Sequence, residues 1–249
     1  MRTAELFVSL QPNAAASKQL FCFPFAGGST MAYRPWLKYL SRDIELIAVQ
    51  LPGRGSLFGQ RLFDNMADLV AELFIQIKDR IEKPFMFFGH SMGSKIAFEL
   101  ACTLQREHCP LPMHFFASGA GAPFKPRKAA PIHPLPDEEF IRRLSALNGT
   151  SEKVLQNKEL MQFVLPMLRA DFKLAETYLS DSQAVLPIAA TIMGGDSDTA
   201  ISHDDLLAWQ QVFGRVQDIK IFEGGHFFIN EHIAEIVATI NGLPPRSSE

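Results

Sequence analysis

Short apolar runs rich in aromatic and β-branched residues recur along the chain. Between them, apolar positions return every three or four residues, the spacing of one helix face. The short runs predict strands at Gln19–Phe23, Ile44–Gln50, Phe85–Gly89, His114–Ser118, Ile188–Met193 and Gln217–Phe222. The periodic segments predict helices at Met31–Ser41, Asp64–Ile81, Met92–Gln105, His203–Phe213 and Ile229–Ile240. Strands and helices that alternate in this way predict an α/β fold, a mostly parallel sheet with helices on both faces. No internal repeat or low-complexity tract interrupts the pattern.

One segment breaks the rhythm. From residue 119 to 187 no strand pattern occurs. The segment opens with the Pro- and Lys/Arg-rich stretch APFKPRKAAPIHPLP and continues with helical periodicity at Asp137–Leu147, Lys158–Leu168 and Asp171–Leu179. Asn148-Gly149 reads as the stop of the first of these helices. A helical insertion over about 121–185 in a single domain spanning 1–249 would overhang the C-terminal ends of the strands, where α/β proteins place their ligands. A lid is therefore expected there.

Composition narrows the class. Apolar residues make up 47% and charged residues 20% of 249 positions, enough for a full core. A net charge of −3 and the lack of a long basic tract argue against a nucleic-acid partner. No apolar run reaches membrane-spanning length. Cys22, Cys102 and Cys109 are odd in number and form no CxxC pair, which predicts reduced thiols and a cytoplasmic location. The opening MRTAELFVSLQPNAAASKQ mimics a signal peptide faintly, but Glu5 and a very short apolar patch oppose that reading.

Candidate chemistry begins at FMFFGHSMGSKIAFEL, residues 85–100. An apolar strand, Gly89-His90-Ser91-Met92-Gly93 and a helical run succeed one another as in the nucleophile elbow of the α/β-hydrolase fold, with Ser91 at the tip. A serine hydroxyl that attacks a carbonyl carbon must project from a tight, strained turn. Side chains at 89 and 93 would strike neighbouring backbone there. The helix beginning at Met92 directs its free N–H groups toward developing negative charge.

The remaining parts should follow in the order acid, then base. Of the seven histidines, His226 follows the last strand through Glu223-Gly224-Gly225, where a loop can return over the sheet edge. After the preceding strand come Gly194-Gly195-Asp196-Ser197-Asp198. Either aspartate could orient the imidazole, and the Gly-x-x-Asp spacing favours Asp198 over Asp196. Oxyanion donors are expected from the Met92 N–H and, in Phe23-Pro24-Phe25-Ala26-Gly27-Gly28, from the Ala26 N–H.

Six segments together resemble the type II thioesterases of polyketide and nonribosomal-peptide assembly lines. They are CFPFAGGS (22–29), VQLPGRG (49–55), FFGHSMG (87–93), LRADFKLAETY (168–178), GGDSD (194–198) and EGGHFFI (223–229). The resemblance implies a Ser91–Asp198–His226 triad, oxyanion N–H groups at Ala26 and Met92, and no cofactor or metal. It further implies a free-standing monomeric enzyme that hydrolyses acyl thioesters on the phosphopantetheine arms of acyl or peptidyl carrier domains. A general carboxylesterase, an acyltransferase or a catalytically silent carrier-binding protein are the alternatives. Lys125, Arg127 and Lys128 lie outside the resemblance. They read as a solvated loop or as a docking patch for an acidic carrier domain.

Overall fold

Seven strands form one sheet in the order β1-β3-β2-β4-β5-β6-β7 in the computed structural model, which describes residues 5–147, 157–181 and 184–243. The strands are β1 Phe7–Ser9, β2 Lys18–Phe23, β3 Ile44–Val49, β4 Phe85–His90, β5 His114–Ser118, β6 Leu186–Gly195 and β7 Phe213–Phe222. All neighbours pair in parallel except β1, which runs antiparallel to β3 with Phe7 opposite Val49. The sheet is the mostly parallel, helix-flanked one expected of an α/β-hydrolase fold.

The central strand β4 shows why the core divides in two. Successive side chains of a strand point to opposite faces. Phe85 and Phe87 join Phe21, Phe115 and the helices α1 (Met66–Ile77) and α2 (Met92–Arg106) on one face. Met86 and Phe88 join Leu20, Phe116, Tyr33 and Trp36 on the other. A strand buried on both faces has no polar alternation, which is why FMFF reads as an unbroken apolar run. Helix α6 (Ile233–Asn241) closes the second face through Ile236, Val237 and Ile240.

The insertion between β5 and β6 carries helices α3 (Asp137–Ala146) and α4 (Lys158–Thr177), with a small core of its own around Phe140, Leu144, Leu165 and Leu168. Two helices were expected where α4 runs unbroken. Arg169 and Ala170, at the expected gap, are good helix formers, and the helix runs on through them although Pro166 stands one turn earlier. The Asn148-Gly149 stop lies outside the described residues.

Other boundaries moved for local reasons. The Asn65 side chain accepts the Asp68 N–H at 2.9 Å and starts α1 two residues late. Pro35 lacks an N–H, and Thr30–Lys38 is a 3₁₀ segment rather than an α-helix. Residues 203–213 divide into helix α5 (His203–Leu207), a 3₁₀ turn at Ala208–Gln211, and the start of β7. The apolar patch near the start, FVS, is the edge strand β1, too short to show periodicity. Among the described residues no helix is long and apolar enough to cross a membrane.

Candidate active site

Ser91 sits between β4 and α2 with φ 54° and ψ −116°, a strained conformation for a residue with a side chain. Two glycines make the turn sterically feasible. A Cβ on Gly89 would lie 2.4 Å from the backbone of Gly93 and Ser94, and one on Gly93 would lie 2.0 Å from the Phe23 carbonyl oxygen. Polar contacts brace the same turn. The Ser91 N–H donates to the Ser118 carbonyl at 2.7 Å, and the Ser94 hydroxyl donates to the Gly89 carbonyl at 2.7 Å. Ser94 and Ser118 escaped the sequence reading because serine in an element carries no signal of its own.

His226, in the loop after β7, reaches Ser91: its Nε2 lies 2.9 Å from the Ser91 Oγ. Its Nδ1 lies 2.7 Å from the Asp198 Oδ2. An ionised carboxylate only accepts, so Nδ1 carries the proton and Nε2 is left to accept from the hydroxyl. Asp198 is nearly enclosed, its side chain 2% exposed, and its Oδ1 accepts the Ala200 N–H at 2.8 Å. Asp196, by contrast, does not touch the imidazole. Its Oδ1 accepts the Ser197 hydroxyl at 2.8 Å and the Gly224 N–H at 3.0 Å, and these contacts, the hydroxyl's first, hold its carboxyl below the usual range.

The loop after β2 forms a tight turn in which the Gly28 N–H donates to the Phe25 carbonyl at 2.8 Å. Gly27, third in that turn, has φ 79°, the value a type II turn requires of its third residue. The Gly27 N–H is taken by the Asp171 carboxylate at 2.7 Å. Among the described residues, the Ala26 and Met92 N–H groups donate to no acceptor. The close approach of Gly93 to Phe23 sets this turn beside the elbow.

Beneath the site lies His90, the residue before Ser91 in the elbow. It is fully buried, with Nδ1 2.9 Å from the Ser118 Oγ and its ring centroid 5.3 Å from that of His226. Burial, and then the neighbouring His226, push its pKa well below the ordinary histidine value, so it forms a neutral floor under the second imidazole. Phe25, Phe227 and Phe228 pack around it.

The basic stretch is neither free nor merely solvated. Lys125 and Lys128 each place Nζ 3.1 Å from an Asp205 oxygen, and Arg127 lies 3.4 Å from the buried Glu176. Among the described residues no group of three or more His, Cys, Asp or Glu side chains is arranged to hold a metal ion.

The thioesterase domain family matches residues 18–243. The chain is 38% identical to the gramicidin S biosynthesis protein GrsT of Aneurinibacillus migulanus over 231 residues, covering 93% of this chain and 90% of that protein. It is 32% identical to the thioesterase PikA5 of Streptomyces venezuelae, covering 92% and 81%. Among solved structures, the type II thioesterase BorB from the borrelidin biosynthetic cluster superposes with a TM-score of 0.86 at 32% identity, covering 94% and 96%.

Proposed function

The chain belongs to the thioesterase family, and from that premise we propose that it clears stalled or aberrant acyl groups from the phosphopantetheine arms of acyl or peptidyl carrier domains. It is a hydrolase of thioester bonds, similar over nearly its whole length to type II thioesterases of nonribosomal-peptide and polyketide pathways. One observation above all supports the mechanism: the unbroken series of contacts from Ser91 Oγ through the His226 ring to Asp198.

In this mechanism the His226 Nε2 takes the proton of Ser91 as its Oγ attacks the thioester carbon. Negative charge then gathers on the carbonyl oxygen, where the Ala26 and Met92 N–H groups receive it. Asp198 orients the imidazole and stabilises its charged form without taking up the proton. The thiol departs with little acid assistance, because a thiol of pKa about 8.5 is a good leaving group. His226 then deprotonates a water that resolves the acyl-Ser91 ester. The chemistry draws on side chains and main-chain N–H groups alone, without a cofactor. The carrier partner binds transiently, as a donor that must leave once unloaded, and the enzyme acts as a cytoplasmic monomer. The insertion carrying α3 and α4 serves as the lid over the arm.

The test is hydrolysis of one acyl group presented on a carrier protein, on free pantetheine and as an oxygen ester, with Ser91→Ala alongside. Preference for the carrier-borne thioester, with a loss on the order of 10⁴-fold in the variant, is the expected result. Equal or faster turnover of the oxygen ester would reduce the reading to a general esterase. Transfer of the acyl group to an added alcohol or amine in place of water would make it an acyltransferase.

A further inference from the structure

Arg54 and Asp171 form a buried ion pair that the mechanism above leaves unused. Arg54 follows β3 and Asp171 lies in the second half of α4, and their side chains are 8% and 4% exposed. The contact is bidentate: Nη1 meets Oδ2 and Nη2 meets Oδ1, both at 2.6 Å. Burying two charges costs desolvation that their attraction seldom exceeds, so an apolar pair of equal volume would fasten α4 as well. An apolar pair could not grip main-chain polar atoms.

That grip is what the pair supplies. Asp171 Oδ2 accepts the Gly27 N–H at 2.7 Å, and Arg54 Nη1 donates to the Gly28 carbonyl at 2.9 Å. The Gly28 N–H is already committed to the Phe25 carbonyl at 2.8 Å. The Phe25 carbonyl, the Gly27 and Gly28 N–H groups and the Gly28 carbonyl are thus held, and the Ala26 N–H is left without an acceptor among the described residues. Helix α4 also packs on the turn directly: a Cβ on Gly27 would lie 2.7 Å from the Leu168 Cδ2.

We propose that Asp171 and Arg54 are positioning residues for the oxyanion turn. They hold the Gly27 N–H and the Gly28 carbonyl, and so the turn whose Gly28-to-Phe25 hydrogen bond sets the plane of the Phe25–Ala26 peptide and aims its Ala26 N–H, which makes α4 part of the oxyanion site as well as its cover. The inference rests on the thioesterase reading and on Ala26 as a donor. It also requires the Gly27 N–H to be spent on structure and not on substrate.

Asp171→Asn keeps the shape and the acceptor for Gly27 but turns an amide donor toward the Arg54 fork. Misplacing a catalytic group by a fraction of an ångström to one ångström should lower kcat by about 10- to 100-fold, with KM within about threefold. Inhibition by a trifluoromethyl ketone analogue, whose hemiketal oxygen occupies the oxyanion position, should weaken by the same factor. Binding of a non-hydrolysable thioether analogue should not change. Arg54→Lys keeps the charge and loses the fork, and should fall between the variant and wild type. Unchanged kcat in folded Asp171→Asn, or equal weakening of ketone and thioether binding, would overturn the proposal. If Asp171→Asn does not fold, Arg54→Lys carries the same test, and full kcat there overturns it. Wild type and Ser91→Ala separate the two readings. A wild type that fails to hydrolyse the thioester removes the thioesterase reading and this proposal with it. Ser91-dependent hydrolysis with an unaffected Asp171→Asn removes this proposal alone.

Discussion

Asp198 faces the Nδ1 of His226 at 2.7 Å, while Asp196, two residues earlier, holds the backbone of the histidine loop at Gly224. One loop therefore supplies two carboxylates to one histidine, the first to its ring and the second to the chain that carries it. Asp198→Asn would face Nδ1 with a group that can donate, favour the wrong tautomer, and lower kcat by about 10³- to 10⁴-fold. Asp196→Asn keeps an acceptor for the Gly224 N–H, and its loss should stay within about tenfold. Steady-state kinetics on a carrier-borne thioester checks both. The reverse ranking would make Asp196 the acid.

The elbow glycines give a steric prediction with an internal control. A Cβ on Gly93 would meet the Phe23 carbonyl oxygen at 2.0 Å, with the Phe23 carbonyl carbon at 2.5 Å and the Pro24 carbonyl oxygen at 2.9 Å, all backbone atoms that cannot rotate away. Gly225 has nothing within 4 Å of a built Cβ. Gly93→Ala should therefore cost about 3 kcal/mol or more, or prevent folding, while Gly225→Ala should stay within about 1 kcal/mol. Denaturant unfolding of the two variants measures the contrast. Comparable stabilities would show that the elbow relaxes more than its geometry suggests.

Most of this architecture was legible because its signals are local. The β4 run, the Gly89 and Gly93 flanks of Ser91, and the Gly-Gly turn before His226 are each contained within a few residues. Spacing favours Asp198 over Asp196, and Asp198 is the one of the two that contacts the imidazole. What the sequence hid is long-range. Nothing near Arg54 announces that Asp171, 117 positions later, completes its fork. Nothing near His90 tells that Ser118 and His226 enclose it. The edge strand β1 was lost because three residues cannot display an alternation.

The basic stretch makes a prediction about recognition. Lys128 is largely exposed, yet its ammonium sits 3.1 Å from Asp205, which also receives Lys125. A charge already paired offers little to an incoming acidic surface. Lys128→Ala should change KM for a carrier-borne thioester by less than about twofold and stability by less than about 1 kcal/mol. A KM increase of about tenfold, lost at high salt, would instead identify Lys128 as a docking residue.

Lys95, one turn beyond Ser91 in α2, yields a pH-dependent stability. Its Nζ donates to the Ala175 carbonyl at 2.9 Å, at the end of α4. Burial, then the nearby Arg127, lower its pKa from 10.5 to about 8, with Glu176 opposing the shift. Below pH 8 the lysine is charged in both folded and unfolded chains, and the fold bears the desolvation cost. Between pH 8 and 10.5 the unfolded chain holds a proton that the folded one has released, so stability rises with pH over that window. The full gain is on the order of 3 kcal/mol at 1.36 kcal/mol per unit. Lys95→Met cannot release a proton there and should lack this increment. Unfolding free energies of both proteins at pH 7 and pH 10 test it: the difference between them should shift in favour of wild type at the higher pH. Parallel pH profiles would mean that Lys95 is hydrated in solution and that α4 does not seal over it.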